Sequence, residues 1–209
     1  LALRKRFGFL DWWPGETRDE VIIGAILTQN TSWKNVEKAI ANLRKEKMLD
    51  LKKIAGINIR KLEVLIKPSG FYKQKAKRLK GFVVYLFGNY KNLDELFDNG
   101  VPELRKELLS LNGIGMETAD SILLYAAEKP IFVIDAYTRR SMSRIYLRRK
   151  EFGYEELQSL ILRELPKDLR LYKDFHAQFV ELGKRYCRKT EPVCAECPLN
   201  KACKYGRLR

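Results

Sequence analysis

No cysteine occurs before Cys187, and all four cysteines of this 209-residue chain fall between Cys187 and Cys203. Such clustering speaks for a metal site and against a disulfide framework spread along the chain. No apolar run is long enough to cross a bilayer, and the N-terminal residues lack the pattern of a signal peptide. A cytoplasmic or nucleoid location without a membrane partner is therefore expected. Internal repeats and low-complexity segments are also missing, which excludes a solenoid. Acid is scarce relative to base: 26 Asp and Glu stand against 41 Lys and Arg, a net charge of +15. That excess favours a polyanionic partner, nucleic acid first and an anionic membrane second, with a merely soluble basic surface as the bland alternative. The 45% hydrophobic and 32% charged content fits a folded globular chain with a real core.

What is present is helical periodicity nearly throughout. Asp19 and Glu20 precede the apolar run Val21 to Leu27, which reads as a helix. Asn30-Thr31-Ser32 breaks it, and Ser32 is placed to cap a helix from Trp33 to Glu46, with Val36, Ala39 and Leu43 on one face. Short helices are expected at Leu51 to Ala55 and Arg60 to Ile66, then a turn at Pro68-Ser69-Gly70. A longer helix runs from Lys73 to Phe87, followed by Leu93 to Asp98 and Val101 to Leu109. Pro130 separates two further helices. Ile131 to Ile134 has the composition of a strand but no evident pairing partner. The fold class predicted is all-α.

The most informative stretch is Leu111-Asn112-Gly113-Ile114-Gly115-Met116-Glu117-Thr118-Ala119-Asp120. One helix ends near Leu111 and another begins after Gly115. Gly113 and Gly115 permit positive φ and the close approach of another backbone, while the second helix offers unpaired amides where phosphate binds. Such a turn grips DNA backbone without reading bases. Taken alone, Gly-x-Gly also fits an ordinary helical turn with glycine caps.

This stretch resembles the helix-hairpin-helix of the endonuclease III superfamily of DNA glycosylases. Val133-Ile134-Asp135-Ala136-Tyr137-Thr138-Arg139-Arg140 resembles the segment bearing that family's catalytic aspartate, and Leu27-Thr28-Gln29-Asn30-Thr31 its glutamine loop. The resemblance runs from about Glu20 to the C-terminus and is closest to the endonuclease III-like 3-methyladenine DNA glycosylases. It implies an enzyme of base excision repair that acts on double-stranded DNA, working as a monomer. The catalytic residue would be Asp135. A carboxylate beside the sugar stabilises the cation that develops as the N-glycosidic bond breaks, and orients or deprotonates water. Asp135 is equally suited to N-cap a helix beginning near Ala136, and both roles are compatible.

Bifunctional members of the family attack the sugar with a hairpin lysine. Glu117 stands at the matching position here, and a carboxylate forms no imine, so a monofunctional enzyme using water is expected. Glu117 reads either as a solvated glutamate favoured by the helix dipole or as a residue supporting the site. The adenine-excising branch carries a glutamate where this chain has Ala25, which argues against that branch. Trp12, Trp13 and Trp33 are the candidate base pocket. Alkylated purines such as 3-methyladenine and 7-methylguanine are cationic, and an indole face attracts a cation by roughly 0.5–2 kcal/mol. Stacking of a flipped base adds about 1–3 kcal/mol. Core packing is the alternative for each tryptophan. By the resemblance, Gln29 enters the space left by the flipped nucleotide; otherwise it is an amide that satisfies loop backbone.

Cys187, Cys194, Cys197 and Cys203 give C-x6-C-x2-C-x5-C. Four thiolates hold either zinc or a [4Fe–4S] cluster, and the spacing does not split into the short pairs that zinc favours. The resemblance matches every interval to the family's [4Fe–4S] loop, with a structural role. His176, the only histidine, is expected in the core or supporting the site. Gly113, Gly115, Gln29, Arg139 and Arg140 are the expected DNA contacts. The basic run Lys73, Lys75, Lys77, Arg78, Lys80 is expected on a solvated face, some of it lining DNA. The domains expected are a six-helix barrel over 20–129 and a discontinuous helical domain of 1–19 with 130–209 that holds the cluster, with DNA in the groove between. Rival readings are a glycosylase for an oxidised or deaminated base and a DNA-binding module without catalysis.

Overall fold

A computed structural model describes residues 2–10, 15–148 and 150–208. Its described residues form helices and connecting turns, with no strand among them. No described helix is long and apolar enough to cross a membrane. The chain divides into two compact units, one of residues 14–129 and one that joins residues 1–13 to 130–209. Helix α1 (Ala2–Phe7) belongs to the discontinuous unit.

The continuous unit is built around α2 (Arg18–Leu27). Thr17 caps it, its hydroxyl accepting from the Glu20 amide at 3.2 Å. Every residue from Val21 to Leu27 is buried, the mark of a helix wrapped by others on all sides. The unit continues through α3 (Trp33–Lys45), α4 (Leu51–Gly56), α5 (Ile59–Leu65), α6 (Tyr72–Asn89), α7 (Leu93–Phe97), α8 (Val101–Ser110) and α9 (Met116–Ser121), of which α3, α6 and α9 pack against α2, while α4 and α5 pack against α6. The helices fall where periodicity and punctuation place them, because Asp50, Asn58 and Asn92 each cap the helix that follows with a side-chain oxygen. Ser32 sits at the cap position of α3 without making a side-chain cap bond. Lys67–Ser69 form one turn of 3₁₀ helix, closed by Gly70 at φ 67°. Helix α9 runs on into a π-helical turn, Ile122–Ala126, whose five residues are all buried. Wide turns of this kind recur at functional sites.

In the other unit lie α10 (Ala136–Ile145), α11 (Tyr154–Glu164) and α12 (Leu169–Arg185). Helix α12 packs against α10 and α1, with Leu3, Phe179, Leu182 and Tyr186 forming a buried cluster. The apolar segment Ile131 to Ile134 is extended and buried but is not a strand. Side chains of α11 take the place of a neighbouring strand: Gln158 Nε2 donates to the Phe132 carbonyl at 2.7 Å, and the Ile134 amide donates to the Tyr154 hydroxyl at 3.3 Å. That satisfies buried backbone without a ladder.

Candidate active site

The extended segment delivers Asp135 to the N-cap of α10. Its Oδ1 accepts from the Thr138 amide at 2.6 Å, which closes the cap and holds the carboxylate in place. The second oxygen, Oδ2, lies 3.7 Å from Nε2 of His176 on α12. His176 is buried edge-on to Phe132, with ring centroids 6.3 Å apart. Burial pushes the His176 pKa below its ordinary value, and the Asp135 charge only partly opposes this. Burial therefore biases the imidazole beside the Asp135 carboxylate toward its neutral form.

In the continuous unit, the hairpin turn lies between α8 and α9. Gly113 has φ 81°, and a Cβ there would collide with the Arg78 side chain, so the position demands glycine twice over. Gly115 has an ordinary φ of −90°, and a Cβ on it would meet only open space. Glu117 is exposed in the first turn of α9, where the helix dipole favours a carboxylate.

Gln29 follows α2 by two residues, next to exposed Asn30 in left-handed backbone at φ 53°. Its amide bonds back to the hairpin: Nε2 donates to the Gly113 carbonyl and to Thr118 Oγ1, both at 2.9 Å. Its Oε1 accepts from Arg78 on α6. The glutamine loop, the hairpin and α6 therefore meet at one amide. Trp33 is half-buried at the start of α3, and its ring covers Gly24 of α2 so closely that a Cβ there would lie 3.3 Å from it. Trp12 and Trp13 fall outside the described residues.

Phe71 carries no sequence signal beyond its place after Gly70, yet it is 63% exposed at the N-cap of α6, in left-handed backbone at φ 45°. A large apolar ring held out in that conformation calls for a partner. Lys75 departs from the expected solvated run: it is fully buried, whereas Lys73 and Lys77 on either side are exposed. The turn of a helix explains the difference, since Lys75 shares its inward face with Leu79, Phe82 and Val83.

Arg140 donates to the Cys187 carbonyl at 2.8 Å and to the Gly183 carbonyl at 3.4 Å. Arg139 pairs with Glu151 at 3.4 Å. Both arginines thus have partners within their own unit. All four cysteines line one cavity, together with Arg144 and Asn200. Two sulfurs accept hydrogen bonds, Cys187 Sγ from Arg144 and Cys203 Sγ from the Gly206 amide, each at 3.4 Å. Burial pushes the Cys197 thiol up, and the three other cysteines add to the rise. Among the described residues, no three ligating side chains are grouped so as to hold a single metal ion.

Residues 23–167 match the family model described as HhH-GPD superfamily base excision DNA repair protein. This chain belongs to that superfamily. A Methanocaldococcus jannaschii protein that carries the name of a DNA repair glycosylase is 50% identical over 199 residues, 94% of this chain and 90% of its own. The solved structure of H. pylori 3-methyladenine DNA glycosylase bound to 1,N6-ethenoadenine is 33% identical, with a TM-score of 0.74 over 88% of this chain and 92% of that one. A non-covalent endonuclease III–DNA complex shares the fold, with a TM-score of 0.82 at 23% identity over 99% of this chain and 92% of that one. As an HhH-GPD protein the chain is a DNA-binding DNA glycosylase.

Proposed function

We propose that the protein is a monofunctional glycosylase that hydrolyses the N-glycosidic bond of N-alkylated purines flipped out of duplex DNA. The observation that carries this reading is Asp135, which caps α10 through one oxygen and keeps the other beside a buried imidazole. The electron pair of the breaking bond leaves with the base and cancels the positive charge of a 3- or 7-alkylated purine. The sugar becomes cationic at C1′, and the Asp135 carboxylate stabilises it. Water adds at C1′ and its proton passes to the carboxylate or to solvent. An alkylated base leaves well without a strong general acid, which suits a chain whose one histidine is kept neutral by burial. The 33% likeness to a 3-methyladenine DNA glycosylase supports the same substrate class.

Trp33, with Trp12 and Trp13, serves as the pocket in this reading, since an indole ring attracts a cationic base. The hairpin holds DNA backbone, and the open space where a Gly115 Cβ would stand suits a close phosphate. The Gln29–Asn30 tip and Phe71 probe the base stack; an apolar ring at such a place wedges between bases. Cys187, Cys194, Cys197 and Cys203 would hold a [4Fe–4S] cluster. They fit it through their convergence on one cavity and through the donors that reach two of the sulfurs. Bound there, such a cluster would cross-link the C-terminal loop.

The test is a panel of duplexes that each carry one lesion, scored for release of free base, with Asp135→Asn beside the wild type. Release of 3-methyladenine or 7-methylguanine is expected, with Asp135→Asn slower by about 10²–10⁴-fold while still binding DNA. Release of oxidised or deaminated bases alone would overturn the substrate class. Near-normal turnover by Asp135→Asn would overturn the role of Asp135.

A further inference from the structure

Lys75 is the one lysine of α6 that reaches no solvent. Its Nζ donates to the Leu27 carbonyl at 2.8 Å and to the Ser69 carbonyl at 2.6 Å. Leu27 is the last residue of α2, and Ser69 the last of the 3₁₀ turn. Both are helix-end carbonyls without a partner further along the helix, at the negative pole where a cation is favoured. Two residues beyond Leu27 lies Gln29, and two residues beyond Ser69 lies Phe71. Each tip thus stands within about 7 Å of chain from a residue whose carbonyl the ammonium holds.

Burying this amine is costly, and an apolar residue would fill the space more cheaply. Burial and the neighbouring Arg78 charge push its pKa down to about 8. Even the neutral amine keeps two N–H groups for the two carbonyls. Arg78, one turn further along α6, holds Gln29 itself. Helix α6 therefore fastens the glutamine loop twice and carries Phe71 at its own N-cap.

We propose that Lys75 is a positioning residue for base extrusion: it locks the Gln29–Asn30 tip to the Phe71 tip at a fixed separation. This rests on the reading above that both tips probe the stack. Successive bases on a strand rise about 3.4 Å apart, so slack of 1 Å between two probes that act on neighbouring steps lets one slip out of register. Lys75 touches no DNA, and its effect falls on extrusion rather than on general affinity.

The experiment compares wild type, Lys75→Met, Phe71→Ala and Gln29→Ala on a lesion duplex with 2-aminopurine beside the lesion, where fluorescence reports unstacking. Lys75→Met is expected to lose extrusion signal and single-turnover base release by about ten-fold. Affinity for undamaged duplex should stay unchanged. On a lesion opposite an abasic site, where extrusion is nearly free, release should recover. A wild-type extrusion signal in Lys75→Met overturns the proposal, as does an equal loss on both substrates, which marks general destabilisation. If Phe71→Ala and Gln29→Ala also leave extrusion untouched, the reading of the tips falls instead. Should Lys75→Met not fold, Lys75→Gln, which keeps one NH₂ donor, is judged by the same readouts.

Discussion

Nε2 of His176 lies 3.7 Å from Oδ2 of Asp135, while Oδ1 of the same carboxylate closes the N-cap of α10. Two helices far apart in sequence thus converge on one side chain. Helix α10 fixes its direction and α12 sets its surroundings. A protonated His176 would pair with Asp135 and blunt the negative charge that the developing sugar cation requires. Burial keeps the imidazole neutral and leaves that charge intact.

The lowered pKa of His176 makes stability depend on pH with a definite sign. Below its ordinary value of 6.5 the unfolded chain takes up a proton that the folded chain resists. The unfolded state then binds more protons, so stability falls as pH drops through this window. His176→Gln removes that proton-linked contribution. Denaturant unfolding at pH 7.5 and pH 5 is expected to show a larger loss for the wild type than for His176→Gln. Equal losses would refute the assignment of a buried neutral histidine.

Glu117 separates hydrolysis from lyase chemistry. Its exposed carboxylate, in the first turn of α9, offers no amine to the sugar. The product is expected to be an intact abasic strand, cut only after alkali or heat. Borohydride should trap no enzyme–DNA adduct. Efficient trapping by the wild type would show that another amine attacks and would end the monofunctional reading.

Protein purified without oxygen is expected to be brown, with broad visible absorbance from a cluster on the four cysteines. Cys197→Ser should bleach it and lower the melting temperature, because the loop it closes supplies the Cys187 carbonyl that Arg140 holds. Colourless protein with stoichiometric zinc would exclude the cluster.

Much of the helical frame was legible because its signals are local. Caps such as Asp50, Asn58, Asn92 and Asp135 precede runs of helical period, and Gly113 marks the one hairpin position that needs left-handed backbone. What stayed hidden depends on distant partners. Lys75 looks like its neighbours in a basic run, and only the carbonyls of Leu27 and Ser69 explain its burial. Ile131 to Ile134 reads as a strand in search of a partner, and nothing near it in sequence announces Gln158 and Tyr154. Arg140 lies in a basic run, and nothing near it in sequence announces the Cys187 carbonyl, 47 residues on, that accepts its hydrogen bond. Phe71 is a phenylalanine like nine others until its exposure and φ are known.

The extended segment before Asp135 has a consequence for the protein in crowded solution. Ile131-Phe132-Val133-Ile134 is an uncharged, β-prone stretch of the kind that nucleates aggregation when it comes loose. Lys129 and Pro130 stand before it and Asp135 directly after, a charge and an imino acid on one side and a charge on the other. Such flanks act as gatekeepers against self-association of unfolded chains. Asp135 is therefore under two pressures at once, and a neutral residue in its place removes a solubility guard along with the carboxylate.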